Sequence, residues 1–191
     1  MPVPLISAED AVVVIIDTQP GFLQKLEPAR ADEIVDRIRW LTRFALALEV
    51  PIVVTEEEPD RNGGTVEAVD ALISPDVVRH TKPAFGLASC PPIMADLERH
   101  ARRTSVLCGL ETDVCVAQSA IGLVDGGWRT AVVMDAVASP GEAHAQGLAR
   151  MASAGAVLVG LKGLAYEWLR TVADANAHDD LLAHPPLGIV L

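Results

Sequence analysis

The sequence predicts a single doubly wound, Rossmann-like α/β domain over residues 1–191: about six parallel strands with helices on both faces. Three observations predict it. Short apolar runs alternate along the chain with segments of helical periodicity. The first run, Ala11-Val12-Val13-Val14-Ile15-Ile16, is β-branched and apolar on both faces, as a central strand of a parallel sheet must be. No internal repeat and no domain-scale linker divides the chain.

The elements follow in order. After the first strand and Asp17, a long helix carries Ile34, Ile38, Leu41, Ala45 and Leu48 on one face, with Asp32 and Glu33 suiting its first turn. Pro51-Ile52-Val53-Val54 reads as the second strand. Thr55 to Gly64, with Glu56, Glu57, Glu58, Pro59, Asp60, Gly63 and Gly64, reads as an acidic loop. Residues 66–73 suit a short helix, Val77-Val78 a brief third strand, and Thr81 to Gly86 a loop. Cys90-Pro91-Pro92 opens a helix whose inner face is Ile93, Leu97 and Ala101. Ser105-Val106-Leu107-Cys108 is the fourth strand. The helix after it is marked by Val116, Ala120, Leu123 and Val124, capped by Thr112 or Asp113 and ended by Gly126-Gly127. Thr130 to Met134 is the fifth strand. Ser139-Pro140-Gly141-Glu142 has capping-box spacing before the next helix. Ala156 to Val159 is the last strand, and Leu164, Trp168, Leu169 and Val172 mark the last helix. The tail 175–191 is either a docked arm or poorly ordered. The expected strand order is 3-2-1-4-5-6.

Composition narrows the function. A net charge of −11 argues against nucleic acid and anionic membranes as partners. The longest aliphatic run is too short to cross a bilayer, and Met1-Pro2-Val3-Pro4 lacks the pattern of a signal peptide. A cytoplasmic location is expected. Cys90, Cys108 and Cys115 are an odd set without a CxxC, which fits a reducing compartment.

In the order 3-2-1-4-5-6 the first and fourth strands are neighbours. Asp17 and Cys115 then leave their carboxyl ends at one crevice, where open α/β sheets bind ligands. Cys115 falls in the first helical turn, where free N–H groups favour a thiolate. It reads either as a nucleophile or as a buried structural cysteine. Asp17 reads either as a turn former or as a general base for the thiol. Lys82 reads either as a solvated surface group or as a cation whose arm crosses the two-strand gap of about ten ångströms. In that second role it lowers the thiol pKa and holds Asp17 ionised. Asp17-Thr18-Gln19-Pro20-Gly21 is no glycine-rich phosphate turn, so a dinucleotide site is excluded. A receiver-type phosphoacceptor lacks its adjacent acids after Ile16.

An aspartate ending the first strand, followed by Gln19 and Phe22, a central Lys82 and the segment Gly109-Leu110-Glu111-Thr112-Asp113-Val114-Cys115-Val116 resembles the isochorismatase-like cysteine hydrolases, which include nicotinamidases and N-carbamoyl amidohydrolases. The likeness runs from Asp17 to about Val172. With Glu111, Asp135 to Ser139 and Leu148 to Met151, it is nearest to isochorismatase-domain proteins of unassigned substrate. The resemblance implies a triad of Asp17, Lys82 and Cys115. It implies a non-proline cis peptide at Leu110–Glu111, with the Glu111 and Cys115 N–H groups forming an oxyanion hole. It also implies a homo-oligomer. The cysteine favours hydrolysis of a C–N bond in a small amide, ureide or carbamoyl compound; the alternative is a non-catalytic small-molecule binder on the same fold. Nicotinamidases of the family carry a metal near the second strand. No histidine stands there and the five histidines are scattered, so neither metal nor cofactor is expected, and loop 56–60 reads as solvated rather than as a cation site. Gln19, Phe22 and Phe85 are the candidate pocket residues, the two phenylalanines having ordinary core as their alternative.

Overall fold

The structure, a computed structural model, describes residues 5–191; the expectation for Met1–Pro4 lies outside them. β1 (Ala11–Ile16) is wholly buried, as its unbroken aliphatic run requires. A short helix α1 (Pro20–Leu23) and the long α2 (Pro28–Ala47) lead to β2 (Ile52–Glu57). Two single-turn helices, α3 (Pro59–Asn62) and α4 (Glu67–Asp70), precede β3 (Arg79–Lys82). Then come α5 (Pro91–Arg99), β4 (Thr104–Leu110), a π-helical turn (Thr112–Val116) running into α6 (Ala117–Asp125), and β5 (Arg129–Ala138). The chain closes with α7 (Ala143–Ser153), β6 (Val157–Val159), α8 (Leu161–Leu169), α9 (Val172–Ala177) and α10 (Asp179–Leu182).

The six strands form one sheet in the order β3-β2-β1-β4-β5-β6, as expected, and every pairing is parallel. Alternate side chains of β1 point to opposite faces. Val13 and Ile15 join the core under α2 and α8, with Ile34, Ile38, Leu41, Leu164 and Trp168. Val12, Val14 and Ile16 join the core under α5 and α6, with Ile93, Leu97, Ala120 and Leu123. No helix among the described residues is long and apolar enough to cross a membrane.

Several boundaries differ from the sequence reading. The third strand is Arg79–Lys82, not Val77-Val78. Arg79 folds back to take the carbonyls of Ser74 and Val77 and the carboxylate of Asp70, which holds Val77 in the preceding turn. The strand is polar because it is an edge, and apolar content is a weak guide there. Lys82 therefore ends a strand rather than sitting in a loop. β2 runs on to Glu57, into the stretch read as acidic loop. α2 starts earlier, with Pro28 in its first turn. β5 continues past Asp135, across an irregularity opposite Leu107 and Gly109. Ser139 makes no capping box: α7 starts at Ala143, and the Ser139 hydroxyl donates to Asp113 Oδ1 at 2.6 Å. The helix read as the last, α8, ends at Leu169, where Arg170 takes φ 63°; Val172 begins a separate helix, α9.

The tail is a docked arm. Leu181, Leu182, Ile189 and Leu191 pack on the α2 side of the core. Asp36 Oδ2 accepts from the Leu187 N–H at 2.9 Å, and Trp40 Nε1 donates to the Leu181 carbonyl at 3.2 Å.

Candidate active site

The site is assembled where β1, β2, β3 and β4 end. Ile16 lies opposite Thr55 on β2 and Gly109 on β4. Asp17 follows at φ 46° and turns its carboxylate into the rim. Gly109 is required there. At φ 118°, a Cβ on it would stand 1.9 Å from the Ile16 carbonyl oxygen, so only glycine lets β4 approach β1 this closely. The Leu110–Glu111 peptide that follows is cis. Thr112–Val116 then winds as a π-helical turn that delivers Cys115 to the end of β4.

Five side chains meet. Lys82 Nζ is 3.0 Å from Asp17 Oδ2, and both side chains are fully buried. Thr55 Oγ1 donates to Asp17 Oδ1 at 2.8 Å. Lys82 also donates to the carbonyls of Ala84 and Phe85, at 2.8 and 2.9 Å. A buried ammonium is thus paired and hydrogen-bonded, the condition under which a charge survives inside a protein. The Cys115 thiol lies in reach of Asp17 and donates to Glu57 Oε2 at 3.1 Å. Glu57 Oε2 is in turn 3.9 Å from Lys82 Nζ.

The electrostatics differ from the expected thiolate. Burial and the negative charge of Asp17 push the Cys115 thiol up, and Lys82 opposes them only in part. Burial likewise raises the Asp17 carboxyl above the ordinary range, against the pull of Lys82 and the Thr55 hydroxyl. A resting thiol next to a strengthened base is what this arrangement supplies, rather than a thiolate preformed at a helix end. Neither Thr112 nor Asp113 caps the turn. The Thr112 hydroxyl meets His144 Nδ1 at 3.0 Å, and Asp113 is bound to Ser139.

The pocket residues separate. Gln19 is fully buried and clamps backbone: its Oε1 accepts from the Glu57 N–H at 2.8 Å and its Nε2 donates to the Glu57 carbonyl at 3.0 Å. Phe22 belongs to the core, and Lys25 Nζ stands 4.7 Å over its ring. Phe85 is exposed and contributes its carbonyl to Lys82. Glu57 is the residue the sequence reading missed. Glu56 and Glu57 are not simply solvated: Glu56 Oε1 accepts from the Thr65 N–H and hydroxyl, and Glu57 faces the thiol. Thr55 and Glu57, two apart on one strand, share a face, and that spacing was the available signal.

Glu57 and Glu111 are both partly exposed, and Glu111 is paired with Lys25 Nζ at 3.1 Å. Asp17, Glu57 and Cys115 each offer a donor atom within 4.8 Å of the others, compact enough for a cation. Of the Asp17 oxygens, Oδ1 accepts from Thr55 and Oδ2 is ion-paired with Lys82 but has no hydrogen-bond partner.

A model of the isochorismatase domain matches residues 11–162. Isochorismatase domain-containing protein 2 of Rattus norvegicus is 32% identical over 167 residues, covering 86% of this chain and 76% of the relative. Its Xenopus laevis counterpart is 30% identical over 161 residues, covering 83% and 76%. Among solved structures, the YcaC gene product of Escherichia coli, described as an octameric hydrolase of unknown specificity, superposes with a TM-score of 0.88 at 25% identity, covering 96% of this chain and 91% of that one. Nicotinamidase PncA from Bacillus subtilis shares the fold, with a TM-score of 0.68 at 19% identity over 78% of this chain and 99% of that one.

Proposed function

Since the chain belongs to the isochorismatase domain family, we propose that it is a cysteine-dependent hydrolase cleaving a C–N bond in a small amide, ureide or carbamoyl compound. The observation that carries this reading is the buried Lys82–Asp17 pair within reach of the Cys115 thiol. A structural core has no need of two charges and a nucleophile at the carboxyl rim of its central strands, since burying them costs free energy unless a function retains them.

In this reading Asp17 accepts the thiol proton as sulfur attacks the carbonyl carbon. Lys82 keeps Asp17 ionised until then. The Glu111 and Cys115 N–H groups stabilise the oxyanion. The proton passes to the leaving nitrogen, an amine departs, and a thioester remains on Cys115 for water to hydrolyse. The three free thiols suit a reducing, cytoplasmic compartment. The octameric description of the YcaC protein supports a homo-oligomer here too. We read residues 1–191 as one hydrolase domain.

The test is a screen of small amides and ureides for ammonia release, run beside Cys115→Ala. Release that vanishes in the variant supports the reading. Release that persists in it, or a protein that binds such compounds without turning any over, refutes it.

A further inference from the structure

Glu57 is held with more care than a rim carboxylate requires. Gln19 grips both its backbone N–H and its carbonyl, and Asn62 Nδ2 donates to that carbonyl at 2.9 Å. Its carboxylate touches the nucleophile at 3.1 Å and shares Lys82 with Asp17. The two acids differ in one respect. Asp17 is sealed, whereas the Glu57 side chain is 16% exposed and so meets both sulfur and solvent. Resting on the hydrolase reading above, we propose that Glu57 is the base of the second half-reaction, activating the water that cleaves the thioester, while Asp17 serves the first.

The step balances. Once the amine has left, the sulfur carries the acyl group and no longer donates a proton to Glu57. The freed carboxylate accepts a proton from a water entering along the exposed side. The oxygen of that water bonds to the acyl carbon, the C–S bond breaks, and the departing thiolate takes the proton back from Glu57. Products are the acid and the free thiol. Asp17 is poorly placed for this water, because no part of its side chain reaches solvent.

The experiment uses 4-nitrophenyl acetate with the whole protein, since its burst of 4-nitrophenolate reads acylation and its steady state reads deacylation. Glu57→Gln is expected to keep the burst and lose steady-state rate by about 100-fold, the low end of what a positioned base contributes. An acetyl adduct on Cys115 then accumulates in the intact-mass spectrum. Hydroxylamine, which needs no base, restores the steady state, and Glu57→Asp, which keeps a carboxylate, recovers part of it. A purely structural role would not respond to hydroxylamine. An unchanged steady state in Glu57→Gln, or a burst slowed as much as the steady state, overturns the proposal. A wild-type burst that survives Cys115→Ala overturns instead the nucleophile on which it rests, so the two failures are told apart.

Discussion

Cys108 and Cys115 lie on either side of one strand end, and both are buried. Cys108 points into the α2 side of the core, where its thiol reaches the Val14 carbonyl, at 3.7 Å. Burial alone pushes it up to about 12. Cys115 is pushed up as well, but two carboxylates and an ammonium stand beside it. Burial therefore does not distinguish an inert cysteine from a reactive one. What distinguishes them is a proton acceptor at the sulfur and a counter-charge that keeps the acceptor ionised.

The largest expected effect breaks the pair at Cys115, the proposed nucleophile. Cys115→Ser should lower turnover by about 10³-fold or more while the fold persists, because a nucleophile and its base act as a unit. Steady-state kinetics beside circular dichroism check this. The next effect falls on stability. Lys82→Met leaves Asp17 charged, sealed and unpaired, at a cost of about 3–5 kcal/mol. The double change Asp17→Asn with Lys82→Met should recover most of that loss in urea denaturation, since replacing both members of a buried pair is often neutral. A double variant as unstable as the single one would mean that the ammonium is held by the Ala84 and Phe85 carbonyls more than by Asp17.

The sequence is unevenly legible. β1, β4 and their adjacency can be read because a short unbroken run of β-branched residues suits a strand covered on both faces and little else. Asp17 and Cys115 follow from that adjacency. Glu57 does not, because three consecutive glutamates before a proline look like solvated loop. Only the register that sets Glu57 opposite Lys82 shows that β2 is still a strand there. Gln19 is visible as a site residue but not in its role, since an amide that grips backbone and one that lines a pocket have the same sequence signature. Ser139 misleads for a similar reason: capping-box spacing is local, and the partner its hydroxyl takes, Asp113, is a tertiary contact.

The electrostatic difference between the two thiols can be sharpened through Asp17→Asn. A negative neighbour disfavours the thiolate, so removing it moves the Cys115 midpoint to lower pH. Iodoacetamide should then label Cys115 at a pH where the wild type is slow, even as hydrolysis is lost. Cys108 is raised by burial and should stay unlabelled in both proteins. In the wild type, the acid limb of kcat/KM should lie above the aspartate range of about pH 4, because burial raises Asp17 and activity requires its ionised form. Labelling unchanged by Asp17→Asn would mean that the carboxylate does not act on the sulfur.

The smallest effect belongs to Cys108. Cys108→Ala removes one sulfur from a packed face and should cost about 1 kcal/mol through the small cavity it leaves. Its kcat/KM should match the wild type, because no charge and no reacting atom changes. The pairing of variants matters more than either alone. If Cys108→Ala were to depress turnover by orders of magnitude at unchanged stability, position in the sheet rather than the local charges would govern both cysteines. If it leaves turnover intact while Cys115→Ser removes it, two equally buried thiols differ by their neighbours. The chemistry is then located at Asp17, Lys82 and Glu57 rather than in the strand that carries the sulfur.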